Sequence, residues 1–279
     1  MTTRRATALA LWLLGAAAAL PGVTAAQSFV PQPQEYLLTT DAGDSRALWV
    51  QPAGLTRKRE ASVSGFLTAN RYPGGMQVGQ YGATLASGVL AFGWQHDRFS
   101  DTVGMNAFVV GIAGGTPTVS VGFDRRWYSG TNTKDGSWDI GGRYLASRFL
   151  EASLVLRDIT SPVVVGDTVF STLVPGLAFN LLNGRLRAGA DWEIVTRGWG
   201  SSAIRAGVTA VLPANLAVNF RAEFNGKLSA RGLAVGLTWN GPGARVTAFE
   251  SSVRAPDVDR AGVWGAAISD PSHPRRRGR

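Results

Sequence analysis

Few residues in this chain could do acid–base or nucleophilic work, and the arrangement of its charges says more than any one of them. His96, Ser100 and Asp101 bring an imidazole, a hydroxyl and a carboxylate close together in sequence. A nucleophile, its base and an orienting acid normally converge from separate elements. Three such groups inside one connection read instead as a solvated turn, so no catalytic residue is assigned and the chain is not expected to be an enzyme. The other histidine, His273, stands in the C-terminal tail, and cysteine is absent. Without clustered His, Cys and carboxylate ligands, neither a metal site nor a redox cofactor is expected.

The charges form a pattern. Asp139, Arg143, Glu151, Arg157, Arg187, Asp191, Glu193, Arg205, Arg221 and Glu223 each follow an apolar or small residue, in phase with an alternation of period two. In 136–159 the apolar set is Trp138, Ile140, Gly142 and Tyr144, then Leu150, Ala152, Leu154 and Leu156. In 186–195 Leu186, Ala188, Ala190, Trp192 and Ile194 alternate with Arg187, Gly189, Asp191 and Glu193. In 216–224 Leu216, Val218, Phe220, Ala222 and Phe224 alternate with Ala217, Asn219, Arg221 and Glu223. Period two is the signature of an extended strand with one oily and one charged face. A soluble sandwich would bury the oily faces, whereas a membrane barrel would turn them to lipid and close the charges inside.

Export and strand length favour the barrel. Residues 1–26 carry Arg4 and Arg5, an apolar run from Ala8 to Leu20, a Pro21-Gly22 break and the small residues Thr24-Ala25-Ala26, the layout of a cleaved signal peptide. That run is too short to span as a helix, and no other stretch is long and apolar enough, so an exported membrane form must be a closed barrel. The net charge of +9 invites a nucleic-acid reading, but six of those charges are Arg4, Arg5, Arg275, Arg276, Arg277 and Arg279, leaving a body near +3 with no basic stripe. Nucleic acid is therefore not an expected partner.

The alternation predicts strands over 61–69, 76–85, 88–96, 103–112, 118–127, 137–145, 149–157, 168–178, 186–195, 202–212, 216–224, 228–239, 244–252 and 261–268. Most run nine to eleven residues. At about 3.3 Å per residue and a tilt of roughly 40°, ten residues rise about 25 Å, the height of the apolar band on an outer-membrane barrel. Links on the periplasmic side are expected to be short and those on the outer side longer, among them 70–75, 97–102, 128–136, 158–167, 196–201 and 253–260. Trp94, Trp127, Tyr128 and Trp138 are expected near the outer rim, where amphipathic rings favour the lipid interface.

Just before the first strand, Ser45-Arg46-Ala47-Leu48-Trp49-Val50-Gln51-Pro52-Ala53-Gly54-Leu55 resembles the A-x-x-x-NPAGL entry motif of FadL-like fatty-acid transporters and PorV-like secretion-system barrels, with Gln51 where the motif has Asn. Leu150 to Pro162 also looks like a strand and outgoing loop of such barrels. The resemblance implies a fourteen-stranded barrel with an N-terminal plug-like segment, and an entry motif on Gln51, Pro52, Ala53, Gly54 and Leu55.

The expectation is an all-β protein, a transmembrane antiparallel up-and-down β-barrel of 12–14 strands in the outer membrane. Its parts would be a signal peptide (1–26), a periplasmic or plug-like segment (27–60), the barrel (61–268) and a basic disordered tail (269–279) that lacks the terminal aromatic many such barrels carry. Outer-membrane lipid is the expected partner. The lumen would pass or bind a hydrophobic small molecule without covalent chemistry. Alternatively, it is a non-transporting anchor or a partner of a secretion or envelope protein, or the chain is a soluble periplasmic β protein. The inward charges would serve either as an ion-pair network bracing the wall and plug, or in part to bind or screen a solute.

Overall fold

The computed structural model describes residues 37–58, 60–72, 75–100, 102–133, 135–196, 202–254 and 257–269. The expected signal peptide, the first part of the N-terminal segment and the basic tail beyond Ser269 lie outside them, as does Asp101.

The two-residue period becomes a barrel. Among the described residues, fourteen antiparallel strands close on themselves: β1 (Ala61–Tyr72), β2 (Gly75–Ala86), β3 (Leu90–Arg98), β4 (Gly104–Gly115), β5 (Val119–Gly130), β6 (Gly136–Leu145), β7 (Leu150–Arg157), β10 (Thr172–Leu181), β11 (Leu186–Val195), β12 (Ala203–Val211), β13 (Leu216–Asn225), β14 (Ala230–Asn240), β15 (Ala244–Arg254) and β16 (Asp257–Ser269). A small hairpin, β8 (Val163–Val164) with β9 (Asp167–Thr168), interrupts the series. Each barrel strand pairs with its predecessor, and β16 returns to β1 from Ala61↔Ser269 through Arg71↔Asp259, so no edge stays open.

The faces sort as a bilayer requires. Val63, Phe92, Ile112, Phe123, Leu154, Phe220 and Leu237 point outward and are exposed, while Ser64, Asp124, Asp139, Glu151 and Arg221 point inward and are buried. Around a closed sheet this arrangement puts apolar side chains toward hydrocarbon and satisfies every strand through its neighbours. A soluble sandwich would bury the oily side instead.

Three expectations are corrected. Tyr128 lies near the outer end of β5 but does not face the lipid interface; it is buried inside the barrel against Met105 and Ala107. Trp127 and Tyr128 are sequence neighbours on one strand, so only Trp127 can face out. The links expected at 70–75 and 253–260 are short, because β1 and β2 leave only 73–74 between them and β15 and β16 only 255–256. The strand expected from 168 begins at Thr172, and its pairing with β11 skips from Leu173↔Ile194 to Gly176↔Asp191 beside Pro175, which has no N–H to give.

The long connection 158–171 folds over the lumen rather than away from it. Asp158, Ser161, Val165 and Gly166 take positive φ (51°, 46°, 52° and 88°) and turn the chain back on itself. Val164 and Val169 are thereby buried on Met105, Ala107 and Tyr128. Thr160 Oγ1 donates to Gly136 O at 2.7 Å, and the Gly166 N–H to Asn132 O at 2.9 Å, which pins the loop across the barrel mouth opposite the end where β1 begins and β16 finishes.

Candidate functional site

Residues 37–58 run through the barrel interior. Their local structure is modest: a single α-helical turn, α1 (Ala47–Val50), then a 3-10 turn over Pro52–Thr56 opened by Pro52, whose missing N–H costs nothing at that position. Leu38, Ala47, Leu48, Trp49, Gln51 and Ala53 are almost wholly buried. So short a segment cannot hold such a conformation alone. The wall holds it.

Contacts reach the segment from around the circumference. Thr39 donates its N–H and hydroxyl to the two oxygens of Asp191 on β11 (2.7 and 2.8 Å), and its hydroxyl meets Ser153 Oγ on β7 at 2.6 Å. Ser45 meets Ser64 on β1 at 2.8 Å, and the Trp49 indole donates to Thr84 Oγ1 on β2 at 2.9 Å. Ser120 on β5 donates to Ala53 O at 3.1 Å. The last carbonyls of α1 are capped by wall arginines: Arg126 Nη2 on β5 donates to Trp49 O (3.2 Å) and Arg157 Nη2 on β7 to Val50 O (2.8 Å). Cations at a helix C-terminus satisfy carbonyls that would otherwise be orphaned.

Gln51 Nε2 donates to Gly142 O (2.9 Å) on β6 and Leu154 O (3.3 Å) on β7, and Oε1 accepts from the Ala53 N–H. The longer amide reaches two wall carbonyls at once. The wall makes room for it: a Cβ at Gly141 would overlap Gln51 Oε1, and one at Gly122 would strike the Pro52–Ala53 backbone. Pro52, Ala53, Gly54 and Leu55 are buried beside it.

Two carboxylates of the segment anchor it electrostatically. Asp41 lies between Arg187 on β11 (2.6 Å) and Arg221 on β13 (2.5 Å), and Asp44 between its neighbour Arg46 (2.7 Å) and Arg245 on β15 (3.0 Å). Arg46 in turn covers the Trp264 ring at 4.1 Å. Burial alone would push the Asp41 carboxyl up, but Arg221 and Arg187 outweigh it and hold it below its ordinary 3.8. Asp44 is held low in the same way, with Arg46 and Arg245 overcoming its burial. A depressed carboxylate contributes stability that is complete above its ordinary pKa and lost only as pH falls through the lower, folded value. The segment is therefore expected to stay seated from neutral pH down to about pH 4 and to release only in stronger acid. Protease sensitivity of residues 37–58 in the detergent-solubilised protein, followed across pH, checks this; release near pH 6 would contradict it.

The charged residues picked out by alternation are all on the inner wall, where they divide into groups. Asp139 accepts from Arg126 (2.6 Å) and from the Asp158 N–H (2.9 Å). Arg143 pairs with Glu151, which also takes Arg187 (3.0 Å) and Arg57 (3.6 Å). Arg205 pairs with Glu193 (3.0 Å), and Glu223 lies close to Arg205. Arg157, Arg187, Asp191 and Arg221 contact the plug itself, as described above. Sequence reasoning missed Asp41, Asp44, Arg46, Arg57, Asp124, Arg126 and Arg245. Arg126 and Arg245 do fall on the charged phase of their strands; the plug residues lie in a stretch without period. His96 points outward with Nδ1 3.1 Å from Asn106 Oδ1, and Ser100 Oγ accepts from the Val103 N–H at 3.1 Å. His96 and Ser100 are thus engaged separately.

Against this charged wall stands one apolar strand. Met105, Ala107, Val109, Gly111 and Ala113 make the whole inner face of β4, and the four with side chains are buried. At the mouth Val164 and Val169 cover Met105 and Ala107; deeper in, Leu48, Trp49 and Val50 of the plug join Val109 and Ala113 in one cluster.

No family model matches this chain, and no curated protein sequence matches it. Among solved structures it is similar to the CymD monoaromatic hydrocarbon channel, with a TM-score of 0.56 and 11% identity over 86% of this chain and 96% of that one. Matches to a mutant Rhodopseudomonas blastica porin (TM-score 0.46, 9% identity, 75% of this chain and 99% of that chain) and to the KdgM porin (0.40, 9%, 74% and 98%) are looser. At such identities the likeness to CymD is one of fold: a closed antiparallel barrel.

Proposed function

We propose that this protein is an outer-membrane channel for a hydrophobic small molecule, closed at rest by residues 37–58 and by the loop 158–171. The observation that carries the reading is the inner face of β4. It offers an unbroken apolar track along one strand of a lumen whose wall elsewhere mixes ion pairs with a second apolar cluster at Phe66, Trp264 and Ala266, and its covers, the two valines of the loop and Leu48–Val50 of the plug, are themselves apolar. Each cover mimics what the track would accept. The similarity to a channel described for monoaromatic hydrocarbons agrees with an apolar solute of modest size.

Passage needs no covalent step. The loop and plug must shift so that the solute exchanges their apolar contacts for its own along β4, while the arginine–carboxylate pairs, which begin on the adjacent β5 with Asp124 and Arg126, brace the rest of the wall. Val109→Asp, a charge in the middle of the track, is expected to cut uptake of an apolar aromatic into reconstituted vesicles by tenfold or more and to leave the barrel folded. Unchanged uptake would remove β4 as the route.

The dense hydrogen bonding of the plug favours a second reading, in which it never moves and the barrel serves as an anchor or as a partner of a secretion or envelope protein. Absence of solute flux both with and without the plug would select that reading.

A further inference from the structure

The apolar track on β4 has two unlike flanks. On the β5 side the neighbouring carboxylates are compensated, with Arg126 lying between Asp124 (3.3 Å) and Asp139 (2.6 Å). On the β3 side the carboxylate is not. There the register sets Gln95 opposite Ala107 and Asp97 opposite Met105, and one strand further Gln80 opposite Asp97. Gln80 Nε2 donates to Asp97 Oδ1 and Gln95 Nε2 to Asp97 Oδ2, so neutral amides hold the carboxylate from both sides. Among the described residues no arginine or lysine pairs with it.

This group is sealed away from water. Gln95 is 0% and Asp97 6% exposed, and Gln95 Oε1 accepts from no donor among the described residues. A buried acceptor without a donor is costly, and a buried carboxylate without a cation more so. An ionised carboxylate also keeps lone pairs beyond the two that the amides take, and has no proton to give. What the group lacks is a donor.

Its place along the lumen gives that lack a consequence. Below Gln95 on the inner face of β3 comes Gly93, where Leu48 and Trp49 of the plug pack so closely that a Cβ would overlap both. At the other end Val164 and Val169 cover Met105 and Ala107. Gln95 and Asp97 therefore stand between the two closures, beside the stretch of track that a solute reaches after the loop yields and before the plug does. Directly opposed residues on antiparallel strands have their Cβ atoms about 5 Å apart, so one small molecule touching Met105 or Ala107 also reaches the polar pair.

We infer that Gln95 and Asp97 form a donor-reading site in this channel, and that the solute it favours is an apolar molecule carrying one hydroxyl, not a bare hydrocarbon. The apolar body lies on Met105 and Ala107, and the hydroxyl donates to the Asp97 carboxylate or to Gln95 Oε1. An ether of the same shape can only accept, and gains nothing from the carboxylate. The inference rests on the channel reading and adds to it a polar selectivity that the β4 face alone does not have.

The test is equilibrium binding to the detergent-solubilised chain from Gln27 onward, by titration calorimetry corrected for empty micelles. The probes are p-cresol, 4-methylanisole, in which the same hydroxyl is methylated, and toluene, which has none. Wild type should bind p-cresol about tenfold or more tightly than the other two, the usual advantage of a hydrogen bond to a charged group. Q95L/D97L, which removes the acceptors without leaving a buried charge, should bring p-cresol down to the level of toluene. Equal binding of all three by wild type overturns the inference and leaves the channel reading standing, whereas binding of none of them removes both. A p-cresol preference that persists in Q95L/D97L also overturns it, since the hydroxyl is then read elsewhere. Heat-modifiable migration reports folding. Should the double variant not fold, Asp97→Asn decides: it keeps the shape without the charge and should lose most of the preference, and an unchanged preference overturns the inference.

Discussion

Asp41→Asn is expected to convert a closed barrel into one that opens often. The carboxylate is buried between Arg187 and Arg221, and removing its charge leaves two wall arginines facing a neutral amide. Breaking a buried pair costs about 3–5 kcal/mol. Arg187 keeps Glu151 (3.0 Å) and the Thr40 carbonyl (2.8 Å), and Arg221 keeps Thr209 Oγ1 (3.0 Å), so the lower end applies. About 3 kcal/mol corresponds to a shift of roughly a hundredfold in the seated-to-displaced ratio of the plug. Single-channel recording should then show openings that wild type rarely makes, with unchanged heat-modifiable migration because the barrel pairing is untouched. A variant as silent as wild type would mean that the Asp41 pairs do not control the plug.

Leu154→Arg and Ser153→Arg should fail in different ways although they are neighbours. Leu154 is half-exposed on the outer wall, and an arginine there would meet lipid near the middle of β7, at roughly 2–4 kcal/mol. Barrel assembly should fall sharply. Ser153 points inward with its hydroxyl on Thr39, so an arginine there should crowd the plug and leave the lipid face intact. Folded barrel measured by heat-modifiable migration should therefore be lost in the first and kept in the second, and the second should conduct. Equal assembly of the two would contradict the placing of Leu154 against lipid and Ser153 in the lumen.

What could be read from the sequence follows from where the information is local. Trp138, Asp139, Ile140 and Arg143 declare a strand and its two faces because alternation is a property of consecutive residues, and the same holds for β11 and β13. The seat of the plug has no such signal. Asp41 finds its partners at Arg187 and Arg221, far along the chain, and nothing between Thr39 and Thr56 repeats. The likeness of 45–55 to a known entry motif points to a segment that precedes the first strand, but not to its contacts: Gln51, read as a departure from Asn, spans from β6 to β7 because its side chain is longer. The loop after β7 was opaque for a different reason. Val164 and Val169 have strand propensity, yet their burial comes from folding back over Met105 and Tyr128, a tertiary choice that propensity does not encode. Tyr128 shows the limit of composition: an aromatic near a strand end reads as a rim residue until the parity of its strand is counted.

The claim on which the account turns is that residues 37–58 close a lumen that otherwise conducts. Planar-bilayer recording of the chain from Gln27 onward beside the same chain lacking residues 37–58 measures it directly, with heat-modifiable migration showing that both are folded barrels. The account predicts a nearly silent full-length protein and a steadily open shortened one. A folded, shortened barrel that carries no current would contradict it.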